Sequence, residues 1–288
     1  MIRTNIGHWK AGEDMLRNTR EAVGELHDTA DNRPCGRLPA MHSDDHRSLL
    51  LLIGLLALYA GVGINWRHLL DTTQGPDWLL IAIWLLMTGL LIRAPRLRRD
   101  LPLALVAMGG GAVIEWWGTS TALWTYFTKE RPPLWILPAW PIAAIAIDRL
   151  CQISCRVLPA LARTGAAYWV VIPSFIIVMS RFMWPSIHHP ASWVVVALMV
   201  LVMAVGVKRD RDMALFIVGA SAGIFLEYWG TSRRCWTYYS QQTPPIEAIL
   251  AHGFASIAFA RGTDLLGQRG RVVAWMHSLR STQRPASS

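Results

Sequence analysis

The sequence predicts an all-α membrane protein in which about eight transmembrane helices form two parallel four-helix repeats. Three observations lead to this fold class. The 288 residues are 53% hydrophobic and only 16% charged, whereas soluble domains contain about 25% charged residues. Long stretches with almost no charge recur along the chain. A motif that begins at Glu115 also returns at Glu227, in the second half of the sequence.

Eight apolar stretches approach the roughly 20 residues that a helix needs to cross about 30 Å of hydrocarbon. They are Ser48–Ile64, Trp78–Ile92, Leu101–Trp117, Leu134–Ile147, Ala167–Trp184, Trp193–Val207, Met213–Trp229 and Ile246–Ala260. The last is the weakest because it is rich in Ala and Gly and contains His252. The sequence therefore predicts seven to eight spans.

Lys and Arg are concentrated in alternate loops, following the second, fourth, sixth and eighth stretches. The positive-inside rule then places both termini in the cytoplasm and the loops after the first, third, fifth and seventh stretches outside. This predicts an integral protein of the cell (inner) membrane. The same clusters explain the net charge of +9, so we expect no nucleic-acid partner.

The sequence divides into four regions. Residues 1–47 are a polar cytoplasmic tail, and Met41 is an alternative start of the protein. Residues 48–150 form the first four-helix repeat and residues 151–261 the second. Residues 262–288 form a basic C-terminal tail. None of these regions contains a nucleotide-binding, metal-binding or hydrolase motif, so we expect neither a cofactor nor a metal.

The internal repeat is visible when the chain is aligned with itself. The segment from Glu115 to Pro133 matches the segment from Glu227 to Pro245 at ten of 19 positions, and Trp78 aligns with Trp193 after a small gap. Each unit contains an even number of predicted crossings, so the second unit enters from the same side as the first. The two repeats are therefore parallel, and their motifs are expected to meet at one membrane face.

Each motif begins with a carboxylate inside an apolar helix, and Glu115 and Glu227 are the predicted catalytic residues. Glu115 lies about 21 Å along its helix from Leu101, in the outer part of the hydrocarbon layer. Burial there favours the neutral carboxyl, which is a proton donor. The structural alternative is that each Glu binds its own loop, for example the Thr119 or Thr231 hydroxyl.

Aromatic residues follow each Glu at fixed spacing, and a protonated carboxyl beside aromatic faces suits chemistry that passes through a carbocation. The alternative is an interfacial belt that anchors the helices. The predicted substrate-binding residues are Trp117, Trp124, Tyr126, Trp229, Trp236, Tyr238 and His252. His252 stands where the first repeat has Trp140, and a structural hydrogen bond explains it equally well.

Other features of the motifs receive structural interpretations. Gly118 and Gly230 are placed where a left-handed glycine would end each helix. Asp148-Arg149 and the Arg-Asp pairs at 99–100 and 211–212 are expected to be solvated at the cytoplasmic boundary.

The motif Glu-x-x-Gly-Thr at Glu115, followed by Trp-x-Tyr, Pro-Pro-Leu and Pro138-x-Trp140, resembles the membrane family of carotenoid 1′,2′-hydratases and related carotenoid-biosynthesis proteins. The resemblance covers residues 115–149 and echoes over 227–261. It implies addition of water to a terminal double bond of a lycopene-like chain, with Glu115 as the family's turn glutamate. This sequence departs from that family's pattern because it has two equally developed motifs. The assignment of Glu227 as a site residue is supported by the internal repeat alone.

Three function classes follow, of which the third is a scaffold partner of another membrane complex. The first is an intramembrane enzyme of isoprenoid or carotenoid metabolism, a lyase of the hydratase type, which hydrates or isomerises a double bond with a buried Glu. The second is a non-enzymatic transporter or lipid-binding protein with its site at the repeat interface; the scarcity of polar residues in the cytoplasmic half counts against a translocation route. The first two predict a lipid-soluble small molecule and membrane lipids as partners, and the sequence leaves open whether the chain forms an oligomer.

Overall fold

The computed structural model describes residues 45–69, 75–93 and 95–282. Over these residues the fold is predominantly helical, with eight α-helices that overlap the eight predicted stretches. They are α1 (Asp45–Asn65), α2 (Gly75–Arg93), α3 (Leu97–Ser120), α4 (Ala139–Val157), α5 (Tyr168–Met183), α6 (Pro190–Ala204), α7 (Arg209–Ser232) and α8 (Ile246–Thr282). The predicted N-terminal tail lies outside the described residues except for its last three positions, and α8 continues through most of the predicted C-terminal tail.

Five helical segments in the described part of the chain are long and apolar enough to cross a membrane. They are His46–Asn65, Leu97–Ser120, Leu134–Val157, Pro159–Ser186 and Arg209–Ser232, and Pro190–Ala204 is a shorter apolar helix. Long apolar side chains such as Leu50, Ile177 and Leu201 point outward from the bundle. A surface of this kind is compatible with a membrane protein because lipid tails replace water around it.

Two short strands join the repeats at one end of the bundle, which we call the motif end. Strands β1 (Trp124–Tyr126) and β2 (Trp236–Tyr238) pair antiparallel, with Thr125 opposite Thr237. Trp124 then faces Tyr238, and Tyr126 faces Trp236. Exchanging the two motif copies reproduces the same register, so this pairing is symmetric about the Thr–Thr position.

Reciprocal hydrogen bonds also connect the two repeats near the motif end. Trp117 on α3 donates through Nε1 to Ser192 Oγ of α6 at 3.0 Å. The equivalent Trp229 on α7 donates through Nε1 to Asp77 Oδ1 of α2 at 2.9 Å. Arg233 adds an ion pair to the same carboxylate. Each repeat therefore uses its motif helix to hold the second helix of the other repeat.

A buried ion pair closes the opposite end of each repeat. Arg149 on α4 binds Asp100 on α3 at 2.7 Å, and Arg261 on α8 binds Asp212 on α7 at 2.7 Å. All four side chains are buried. The two carboxylates also accept the backbone N–H of the residue four positions earlier, Arg96 or Lys208. The charges at 99–100, 148–149 and 211–212 were expected to be solvated. This is wrong for Asp100, Asp148, Arg149 and Asp212, which are buried because charged partners on other helices replace water.

Candidate functional site

The carboxylate of Glu115 is buried and accepts three side-chain hydrogen bonds. Oε2 receives the indole N–H of Trp124 at 3.2 Å and the hydroxyl of Tyr126 at 2.9 Å. Oε1 receives the indole N–H of Trp140 at 3.2 Å. Every neighbour is a donor, and such donors stabilise a negative charge on the carboxyl group.

The second copy builds the same arrangement around Glu227. Oε2 receives the indole N–H of Trp236 at 3.0 Å and the hydroxyl of Tyr238 at 2.9 Å. Oε1 contacts Nε2 of His252 at 2.9 Å. An imidazole nitrogen either donates or accepts, depending on the tautomer. The second carboxylate therefore has one neighbour that is not restricted to donating, unlike the indole of Trp140.

Glycine allows each indole to reach its carboxylate. A Cβ on Gly118 would lie 1.9 Å from the Trp124 ring, and a Cβ on Gly230 would lie 1.9 Å from the Trp236 ring. Both glycines lie inside their helices, which continue to Ser120 and Ser232. The prediction of left-handed glycine caps is therefore wrong, and close contact with an aromatic ring explains these glycines.

The chain turns back towards the carboxylate through two residues with positive φ. Ala122 and Arg234 occupy equivalent positions, with φ of 56° and 55°. The N–H of Leu123 donates to the Gly118 carbonyl at 2.9 Å, and Cys235 repeats this bond to Gly230 at 2.8 Å. The strand that follows each turn points its Trp and Tyr at the preceding helix.

The threonines of the motifs play a local role. Thr119 Oγ1 donates to the backbone carbonyl of Glu115 at 2.6 Å, and Thr231 makes the same bond to Glu227. Among the described residues, neither hydroxyl donates to a carboxylate oxygen. Each Glu does bind its own loop, as the structural alternative expects, but through Trp and Tyr side chains and not through the threonine hydroxyls.

Trp140 and His252, the third hydrogen-bond partners of Glu115 and Glu227, are each accommodated by another glycine. A Cβ on Gly111 would meet the Trp140 ring at 2.3 Å, and one on Gly223 would meet His252 at 2.8 Å. Trp140 and His252 stack on each other across the repeat interface, with ring centroids 6.0 Å apart. The two carboxylates are thus linked through a pair of stacked rings.

Both glutamates line a single cavity between the repeats, which we call the central cavity. Its volume is about 140 Å³. The polar wall contains the two glutamates with their Trp, Tyr and His partners, and the rest is largely apolar, from α4, α5 and α8. An engineered cavity of about 150 Å³ accepts benzene. The central cavity is therefore of a size that accommodates one aromatic ring or a short branched alkyl group.

The hydroxyl donors of the site lie in the strands, outside the predicted spans. Burial raises the pKa of Tyr126 and Tyr238 well above the usual value of a phenol, and the neighbouring carboxylates raise it further. Both hydroxyls therefore keep their protons at neutral pH and act as donors to the glutamates.

The structure brings most of the sequence-predicted site residues together. Those that line the central cavity are Glu115, Glu227, Trp117, Trp124, Tyr126, Trp236, Tyr238 and His252. Trp229 is not among the lining residues, although its indole makes the same kind of bond to the other repeat as that of Trp117. The two equivalent tryptophans therefore both join the repeats but differ in whether they line the cavity.

Sequence reasoning missed several residues of the cavity. Trp140 was identified as the counterpart of His252 and as the end of the family-like motif but not as a site residue, yet it donates to Glu115. Its position in the repeat was the available signal. Met179, Phe182 and Phe259 complete the wall from α5 and α8. No sequence motif identifies them, since they reach the site only through the packing of helices.

Two further cavities adjoin the central one. The outer cavity, at the motif end, shares Trp124 and Tyr126 with it and is also lined by Lys129, Arg131 and Arg234. The inner cavity, at the opposite end, shares Ala144, Ile147, Ser256 and Phe259 with it and has charged side chains in its wall. The expected scarcity of polar residues in this half of the bundle is therefore wrong.

The remaining His and Cys residues form no evident reactive cluster in the described structure. The rings of His188 and His189 are 4.2 Å apart, but no group of three or more His, Cys, Asp or Glu residues in the described ranges is arranged to hold a metal ion. Cys151, Cys155 and Cys235 are buried, and none of the three forms a disulfide bond. Burial raises the pKa of the Cys235 thiol to about 11, so it remains protonated.

Comparison of the chain with known protein families, characterised proteins and solved structures finds no match.

Proposed function

We propose that this chain is an integral membrane enzyme of isoprenoid or carotenoid metabolism that adds a proton, and then water, to a double bond. The observation that carries the proposal is the central cavity, in which both motif glutamates and their aromatic partners face one largely apolar space. The family resemblance of residues 115–149 supports the same chemistry and remains part of the proposal.

The proposed protein has eight spans as two parallel repeats, with both termini in the cytoplasm of the cell. The symmetric pairing of β1 with β2 and the reciprocal contacts of Trp117 and Trp229 support a duplicated architecture. Tags at residues 128 and 240 test the orientation. Labelling from outside intact cells is expected, and labelling only from the cytoplasm contradicts the topology.

Glu227 is the proposed acid. Its carboxyl proton adds to one carbon of the alkene and the electron pair of the double bond forms the new C–H bond, which leaves a carbocation at the neighbouring carbon. Trp236, Tyr238 and His252 then stabilise the carboxylate that remains, because each is within hydrogen-bond distance of it. The nearby indole and phenol faces stabilise the cation.

Water completes the reaction. Its oxygen bonds to the cationic carbon, and the proton it releases returns to Glu227, either directly or through His252. Loss of a proton from a carbon next to the cation would instead give an isomerised alkene. In both cases the carboxyl group is regenerated, and the reaction needs no redox partner.

The test is expression of the full chain in a pigment-producing host, followed by analysis of extracted lipids. We expect a new hydrated or isomerised isoprenoid with the wild type and its loss with Glu227→Gln. Glu130→Gln is the matched control because Glu130 is exposed in the outer loop. Equal product from wild type and Glu227→Gln contradicts an acid role for Glu227.

A second candidate function is a carrier for a lipid-soluble molecule. One observation favours it: the outer, central and inner cavities share wall residues in sequence from one end of the bundle to the other. Unchanged lipid composition in the expression host, together with uptake of a labelled isoprenoid by vesicles containing the purified protein, would favour the carrier.

A further inference from the structure

The inner cavity carries a different chemistry from the central one. It has a volume of about 230 Å³ and lies beside the N-terminal ends of α3 and α7. Four basic side chains and two carboxylates supply its charge: Arg98, Arg99, Lys208, Arg211, Asp148 and Asp264. The equivalent positions Arg99 and Arg211 contribute one cation from each repeat.

The charges of this cavity do not cancel. Arg99 pairs with Asp148, and both Lys208 and Arg211 bind the single carboxylate of Asp264, at 3.1 and 2.6 Å. Arg98 is exposed and belongs to none of the ion pairs found among the described residues. Four cations therefore face two anions, which leaves an excess of two positive charges.

The helix ends do not add to this excess. α3 begins at Leu97 and α7 at Arg209, but the buried carboxylates of Asp100 and Asp212 lie in the first turns of these helices and accept the backbone N–H of Arg96 and Lys208. A phosphate or diphosphate group matches both the net charge and the donor-rich wall. Arg side chains are also suited to bidentate contact with phosphate oxygens.

The inner cavity is contiguous with the apolar one. Ala144 and Ile147 from α4 and Ser256 and Phe259 from α8 line both spaces. A molecule anchored by an anionic head in the inner cavity would thus have a path for its chain towards Glu227.

We infer that the inner cavity binds the phosphate-class head group of an amphiphile whose apolar chain extends into the central cavity. That this amphiphile is the substrate rests on the proposed function; the binding itself does not. Two sources provide the same head-group chemistry, an isoprenoid phosphate or diphosphate and an anionic phospholipid of the bilayer.

The first experiment measures binding of inorganic diphosphate to the full chain, purified in uncharged detergent, by titration calorimetry. Arg98→Ala and Lys208→Ala are each expected to weaken binding at least tenfold, and Arg98→Lys is expected to restore most of it. Arg181→Ala is the matched control, because Arg181 is exposed on α5 and is not part of the inner cavity wall. Equal affinity in Arg98→Ala, Lys208→Ala and Arg181→Ala overturns the inference.

The second experiment identifies the apolar chain of the ligand. Geranylgeranyl diphosphate is expected to bind more tightly than inorganic diphosphate, and Ala143→Leu, in the wall of the central cavity but not of the inner one, is expected to remove that gain while leaving inorganic diphosphate binding intact. Competition by phosphatidylglycerol in nanodiscs, with none by phosphatidylcholine, would instead assign the site to a phospholipid. If neither geranylgeranyl diphosphate nor phosphatidylglycerol competes, the inference that the ligand is an amphiphile is overturned. If Glu227→Gln leaves the lipid products unchanged while inorganic diphosphate still binds, the proposed catalysis is contradicted but the inferred phosphate site is not.

Discussion

The two motif copies hold their glutamates with the same pair of aromatic donors and differ at the third hydrogen-bond partner. In both, a buried Glu accepts an indole N–H and a phenol hydroxyl from the following strand, at 2.9 to 3.2 Å. At the third position the first copy has Trp140 and the second has His252. The Trp and Tyr present in both copies position the carboxylate. The third position places an indole, which only donates, beside Glu115 and an imidazole, which can also accept, beside Glu227.

Under the proposed function, this difference separates a structural glutamate from a reactive one. Trp140 only donates, so Glu115 is held by three donors. The His252 ring has two nitrogens, one of which can accept, so the proposed mechanism uses it to pass a proton to or from Glu227 within the cavity. The proposal thus assigns different roles to two glutamates that are otherwise held in the same way.

The largest expected effect comes from making the second copy resemble the first. His252→Trp should keep the hydrogen bond to Glu227, since Gly223 leaves space as Gly111 does for Trp140. Loss of the proton relay should lower product formation about 100-fold or more. The measurement is product yield per unit of folded protein in the expression host.

The reverse exchange is the control for that result. Trp140→His gives the first copy the same pair as the second and is expected to retain activity. Full activity in His252→Trp would contradict the relay and would leave the two copies functionally equal.

The buried ion pairs test whether the two repeats are equally important for stability. Arg149→Leu and Arg261→Leu should each reduce the free energy of unfolding by about 3–5 kcal/mol, because each leaves a buried carboxylate without its cation. Thermal unfolding in detergent measures the loss, and Arg181→Leu, at an exposed arginine, serves as the control. A large loss in only one repeat would break the structural equivalence.

Helix positions and the repeat were predictable from sequence because they depend on local composition and on identity between segments. The eight predicted stretches overlap α1 to α8, and the duplicated Glu, Trp and Tyr occupy equivalent places. These signals do not require knowledge of helix packing.

The predictions failed where distant residues decide the environment. Asp100 looked solvated because its partner Arg149 is 49 positions away on another helix. Gly118 looked like a cap because the indole that covers it cannot be read from the helix alone. The central cavity and its walls from α5 and α8 arise only when the repeats pack together.

The motif glycines give a smaller, symmetric test. Gly118→Ala and Gly230→Ala should each destabilise the fold by about 1–3 kcal/mol, because the added methyl group would overlap the Trp124 or Trp236 ring. Gly54→Ala is the control, since a Cβ there meets nothing within 4 Å. Thermal unfolding of the three variants should show equal losses of stability for the two motif glycines and none for the control. Unequal losses for Gly118→Ala and Gly230→Ala would show that the two motif copies differ in rigidity.

The smallest expected effect concerns the reciprocal contacts between repeats. Ser192→Ala removes the acceptor of the Trp117 indole and also the bonds of the Ser192 hydroxyl to Ser186, and it should cost about 1–2 kcal/mol because a buried N–H is left without its acceptor. Asp77→Asn should cost more, because the Asp77 carboxylate accepts from Trp229 and also pairs with Arg233. Thermal unfolding of both variants in the same detergent gives the ranking. If Ser192→Ala is the more damaging variant, the first repeat's motif helix depends on this contact more than the second repeat's does, and the asymmetry of the molecule extends beyond position 252.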